Sequence, residues 1–105
     1  MNANTSILSP KDAPDMGRFD WQDAFRLDDQ LTEDERMLRD AAGEFAQSEL
    51  QPGVTAAYRD EVTAPGLFKQ MGDAGLLGST IPETYGGLGA NYVTYGLIAR
   101  EIERV

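Results

Sequence analysis

The residues in this chain best suited to chemistry are acids. Glu101 and Glu103 flank Ile102 in "YGLIAREIERV", residues 95–105. Two carboxylates sharing a proton make a general acid and base. On a helix, however, side chains two residues apart point about 200° away from each other, so this pair cannot work on one proton. Glu101 sits near Arg100 and Arg104, and Glu103 is next to Arg104. On charge patterning alone both are expected to be solvated helix acids. The glycine run Gly86-Gly87-Leu88-Gly89 invites comparison with a phosphate loop. No predicted strand precedes it and no lysine follows it, so a turn-rich connection is the better reading. Trp21, Tyr58, Tyr85, Tyr92 and Tyr95 are large enough to stack on a planar ring, but packing is the default role of aromatic groups.

What is missing narrows the chemistry further. The 105 residues contain no histidine and no cysteine. A histidine base, a thiol nucleophile, a thiolate metal site and a disulfide are therefore excluded. Eighteen acids against nine bases leave a net charge of −9, with no basic footprint for nucleic acid or anionic lipid. The length suits one domain, and 41% apolar residues support a modest core. No apolar run is long enough to span a membrane. The opening "MNANTSILSPKDAPDMG" lacks a charged segment followed by an apolar one, and it is poor in arginine. Neither a secretory signal nor a transit peptide is expected, which points to a cytoplasmic protein.

These candidates must be held by helices. Residues 1–18 are polar, with Pro10, Pro14 and Gly17, and are expected to form a flexible tail. Residues 19–31 carry Phe19, Trp21, Phe25, Leu27 and Leu31, which suggests an arm that packs down through them. "TEDE" at 32–35 is a capping box, with negative charge at the positive end of the helix dipole. Leu38, Ala41, Ala42, Phe45 and Leu50 supply one apolar face. Pro52 and Gly53 end or kink this helix, and Val54 to Asp60 can continue it. A second helix is expected to start near Thr63 to Pro65, with Leu67, Phe68, Met71 and Ala74 on one side. Gly75 is its expected left-handed cap, with Leu76 folding back onto it. Pro82 and glycines 78, 86, 87 and 89 make a structured loop. The last helix starts near the cap residue Asn91, and Tyr95, Leu97, Ile98, Ile102 and Val105 form its stripe. That stripe continues to the final residue, so the helix reads as cut part-way. The fold class is all-α, with no self-sufficient catalytic apparatus.

The order of these pieces resembles a known family. "LTEDERMLRDAAGEFAQSEL", then "PGLFKQMGDAGLLGSTIPETYGGLG", then "YGLIAREIERV" is similar to the N-terminal helical domain of the acyl-CoA dehydrogenases. The most diagnostic part is Gly75-Leu76-Leu77-Gly78 followed by Ile81-Pro82-Glu83-x-Tyr85-Gly86-Gly87-x-Gly89. "FDWQD" at 19–23, with Leu27, Gln30, Leu31 and Thr32, resembles the glutaryl-CoA dehydrogenase branch, as does "YGLIAREIERV". The resemblance covers about residues 19–105.

It implies a longer protein, in which this incomplete helical domain precedes a β domain and a C-terminal helical domain. The implied reaction is FAD-dependent α,β-dehydrogenation of an acyl-CoA. For a glutaryl thioester, decarboxylation then gives crotonyl-CoA. An electron-transfer flavoprotein is the implied electron acceptor and a homotetramer the implied assembly. The catalytic base and the flavin contacts would lie outside this chain, so the resemblance assigns it no catalytic, cofactor-binding or metal residue. It assigns one residue near substrate. Glu103 matches a glutamate at the acyl end of the pocket in the glutaryl branch, beside an arginine that lies past Val105. Tyr85, Gly86 and Gly87 match a loop with a structural role. Two rival readings are an acyl-CoA dehydrogenase of other chain specificity and a non-catalytic helical interaction module. The fragment alone is expected to bind no FAD and to turn over no acyl-CoA.

Overall fold

The computed structural model describes residues 19–105, so the expected tail at 1–18 lies outside the described residues. Residues 19–30 and 31–105 form separate units. In the first, Asp23 accepts from the backbone amides of Leu27 and Asp28 and so fixes a turn. A 3-10 turn follows at Asp28–Gln30. Phe19 and Trp21 meet edge to face at 4.8 Å. Phe19, Trp21, Phe25 and Leu27 are nonetheless exposed, where the sequence leads one to expect them packed.

The second unit is helical, and no strand occurs among the described residues. Helix α1 spans Glu33–Phe45. Its capping box forms as the sequence predicts: the Glu35 amide donates to Thr32 Oγ1 at 3.2 Å, and the Thr32 amide donates to Glu35 Oε2 at 2.9 Å. A π turn, Ala46–Leu50, follows directly. It explains the five-residue step from Phe45 to Leu50, which a regular α-helix would place on different faces. After Pro52 and Gly53 the chain resumes as α2, Val54–Asp60.

Helix α3 spans Leu67–Asp73 and starts later than the sequence suggests. The Leu67 amide donates to the Ala64 carbonyl at 3.2 Å, with Pro65 and Gly66 between them and Gly66 at φ 83°. Proline followed by a glycine of positive φ is the signature of a type II turn, which postpones the helix to Leu67. Gly75 (φ 73°) then caps α3, as expected. Helix α4 spans Tyr92–Glu103, with the Asn91 side chain accepting from the Thr94 amide at 2.9 Å.

The core lies between α1 and α4, which pack against each other, and the π turn also touches α4. Ala42 and Ala46 are fully buried. Such small side chains let two helix axes approach closely. Leu76 and Ile98 complete the centre, with Phe45, Met71 and Ile102 packed around it. Two expected core positions lie outside the core. Ala41 is exposed while Ala46 is buried, and Tyr95 is exposed while Thr94 is buried.

One buried acid joins the starts of both long helices. While Glu35 closes the cap of α1, its other oxygen, Oε1, accepts from Asn91 Nδ2 at 2.8 Å. Asn91 in turn caps α4. The Thr32 amide holds the Glu35 carboxyl below its ordinary pKa, helped by the Asn91 amide, while burial opposes them.

Candidate functional site

Two parts of this unit carry the acids and the glycine run that the sequence singles out: the loop before α4 and the last two turns of α4. In the loop, a 3-10 turn at Glu83–Tyr85 leads into Gly86 (φ 85°) and Gly87. The Gly86, Gly87 and Gly89 amides donate to Glu83, Pro82 and Ile81 carbonyls, and the Ala90 amide donates to the Ser79 carbonyl. A Cβ on Gly87 would overlap the Ile81 backbone. The loop therefore needs glycine for close backbone approach. The Gly86, Gly87, Gly89 and Ala90 amides are committed internally and do not form a cradle for the pyrophosphate of a flavin or of coenzyme A. The resemblance implies FAD, but this glycine loop does not fit its pyrophosphate. The structural reading of Tyr85, Gly86 and Gly87 agrees with this geometry, although the Tyr85 ring is exposed.

On α4 the two glutamates part company. Glu101 is buried, with 8% of its surface exposed, which corrects its reading as a solvated acid. Its Oε1 accepts from Arg100 Nη2 at 3.2 Å, and its Oε2 accepts from Arg104 Nη1 at 3.1 Å. On the facing side stands Gly43 of α1, where an added Cβ would come 3.4 Å from Glu101 Oε2. A mid-helix glycine is unfavourable by roughly 0.5–1 kcal/mol relative to alanine, and here it makes room for a carboxylate. The sequence held a signal for this burial. Glu101 lies four residues after Leu97 and three after Ile98, inside the apolar stripe.

Glu103, the single residue carried over as a substrate neighbour, is exposed and forms no ion pair among the described residues. It points away from the core while Glu101 points into it, as their helical spacing requires. No group of three or more histidine, cysteine, aspartate or glutamate side chains among the described residues is placed to hold a metal ion. No helix among them is long and apolar enough to cross a membrane.

Comparison with known proteins agrees with this architecture. Residues 32–105 match the family described as acyl-CoA dehydrogenase, N-terminal domain. An acyl-CoA dehydrogenase of Bacillus subtilis (strain 168) is 36% identical over 75 residues, which are 71% of this chain and 20% of that protein. The mitochondrial short-chain specific acyl-CoA dehydrogenase of Mus musculus is 35% identical over 75 residues, 71% of this chain and 18% of its own length. The Homo sapiens protein of the same description is 33% identical over the same length. The chain thus spans about a fifth of the relatives it matches. With the capped α1, the glycine-closed loop and α4 all falling inside the matched segment, the chain belongs to the acyl-CoA dehydrogenase family, whose N-terminal helical domain it carries.

Proposed function

We propose that this domain serves an FAD-dependent acyl-CoA dehydrogenase that oxidises and decarboxylates glutaryl-CoA to crotonyl-CoA. The proposal includes a cytoplasmic location, a homotetrameric enzyme and an electron-transfer flavoprotein as electron acceptor. The observation that carries the glutaryl reading is Glu103. It lies in "YGLIAREIERV", the run that resembles the glutaryl branch, and its carboxylate is exposed on α4 and unpaired among the described residues. A carboxylate in that state is available to orient an arginine that reads the distal carboxylate of the substrate, through a charge-assisted hydrogen bond. The domain itself contributes shape and this one charge. Oxidation requires the flavin and the base, which belong to other parts of the protein, and a cofactor supplies the redox chemistry in such enzymes.

A second reading has its own support. The relatives described as short-chain specific favour a monocarboxylic substrate of few carbons. The two readings separate in one assay of the full-length enzyme with glutaryl-CoA and butanoyl-CoA. The glutaryl reading expects CO2 release and a kcat/KM at least about ten-fold higher for glutaryl-CoA, the size of one charge-assisted contact. Preference for butanoyl-CoA with no CO2 would establish the short-chain reading instead. Under the glutaryl reading, Glu103→Gln should lower use of glutaryl-CoA by about ten-fold or more relative to a monocarboxylic thioester of similar length.

A further inference from the structure

The last turns of helix α4 and its C-cap Arg104 together carry two acids and two arginines, and both arginines choose the same acid. Arg100 lies three residues before Glu103 and Arg104 lies one after it. The first spacing suits an ion pair along a helix. Adjacent pairs also form elsewhere in this chain: Arg39 with Asp40 at 2.8 Å, and Arg59 with Asp60 at 3.0 Å. Yet Glu101 receives both cations and Glu103 neither. Burial explains the choice. An unpaired carboxylate costs most where water is excluded, whereas an exposed one is solvated at little cost. Gly43 sharpens this by bringing α1 against the Glu101 carboxylate without offering a side chain to satisfy it.

We infer that Glu101 is a positioning residue: by drawing the exposed Arg100 and Arg104 onto its own buried carboxylate, it keeps Glu103 unpaired for a cationic group brought from outside these residues. The inference rests on the reading of Glu103 given above and adds the residue that makes that reading workable. If Glu101 loses its charge, both arginines are released on the same helix end. They then compete for Glu103, and its bond to the incoming guanidinium weakens.

The test uses the full-length enzyme and the ratio of kcat/KM for glutaryl-CoA to that for pentanoyl-CoA. Glu101→Gln is expected to lower that ratio about three- to ten-fold, mainly through KM for glutaryl-CoA. Adding Arg100→Gln and Arg104→Gln to the same protein should restore the ratio, because no competing cation remains. A purely structural role for Glu101 predicts equal loss on both substrates and no rescue by removing the arginines, and that result would overturn the inference. Should Glu101→Gln fail to fold, Arg104→Gln alone decides. It should change the ratio less than about two-fold, and a change as large as that of Glu103→Gln would overturn the inference. If Glu103→Gln itself leaves the ratio unchanged, the reading of Glu103 fails and the role of Glu101 fails with it. If only Glu103→Gln alters the ratio, the reading of Glu103 stands and this inference does not.

Discussion

The C-terminal ends of α2 and α3 close with the same hydrogen bonds. The Val62 amide donates back to the Ala57 carbonyl at 3.1 Å, and the Leu76 amide donates back to Met71 at 2.9 Å. The residue before each is left-handed, Glu61 at φ 53° and Gly75 at φ 73°. Both are Schellman motifs, and they differ in side chains alone. Gly75 adopts its conformation freely, whereas a residue with a Cβ does so at a cost of roughly 1–2 kcal/mol. Leu76 sits in the core at 9% exposure, while Val62 is 60% exposed. Equal backbone geometry therefore does not mean equal anchoring. The end of α3 is held by packing. The end of α2 is held by its hydrogen bonds against an unfavourable residue.

Four substitutions test that contrast through chemical or thermal unfolding. Leu76→Ala opens the core between α1 and α4 and should cost about 2–4 kcal/mol, whereas Val62→Ala should cost less than about 0.5 kcal/mol. Comparable losses would mean that Val62 is packed after all. Gly75→Ala should cost about 1–2 kcal/mol. Space is open around the added Cβ, so this cost comes from backbone conformation alone. The reverse exchange, Glu61→Gly, should stabilise by about 0.5–1 kcal/mol, the relief of a left-handed glutamate less the entropy of a new glycine. If Gly75→Ala and Glu61→Gly shift the denaturation midpoint in the same direction, conformational preference does not separate the two ends.

The smallest effect is pH-dependent and sets the anchored part of the domain against α2. Glu35 titrates below its ordinary value in the folded chain. Its contribution is therefore fully present above about pH 4.3, the ordinary value for glutamate, and is lost as pH falls through the lowered value. The stability difference between the native chain and Glu35→Gln should shrink over that acidic range. At neutral pH, Asp60→Asn, in the exposed pair with Arg59, should change stability by less than about 0.5 kcal/mol. A difference for Glu35→Gln that does not change with pH would show that its carboxylate is not held by the two caps.

Much of this fold is legible in the sequence because its signals are local. Thr32 with Glu35, Gly75 with Leu76, and Asn91 each place a helix end within a few residues of where it forms. What escapes is what depends on a partner helix. Charge patterning compares Glu101 with its neighbours along the chain and returns a solvated acid, because it cannot see Gly43 on α1. Tyr95 outranks Thr94 in apolar size, but the phase of α4 against α1 decides which is buried. The Pro65-Gly66 turn displaces the start of α3 because proline at the first helical position and proline in a turn look alike until the following glycine is weighed. For Glu103, periodicity gives exposure on a helix and nothing more. Its proposed role comes from resemblance.

The bond from Asn91 to Glu35 joins residues 56 positions apart. A helical protein ordinarily folds quickly because its contacts are close in sequence. Here the two helices that enclose the core lie at opposite ends of the second unit, and the loop between them must close before either gains its partner. That closure costs entropy that grows slowly with length, about 0.6 kcal/mol for each doubling. The short helices α2 and α3 can flicker in the unfolded chain on local hydrogen bonds alone, but they bury little by doing so. The rate of folding should therefore follow the encounter of α1 with α4 rather than the growth of any helix, and substitutions at Glu35 or Asn91 should act on the stage at which distant segments meet.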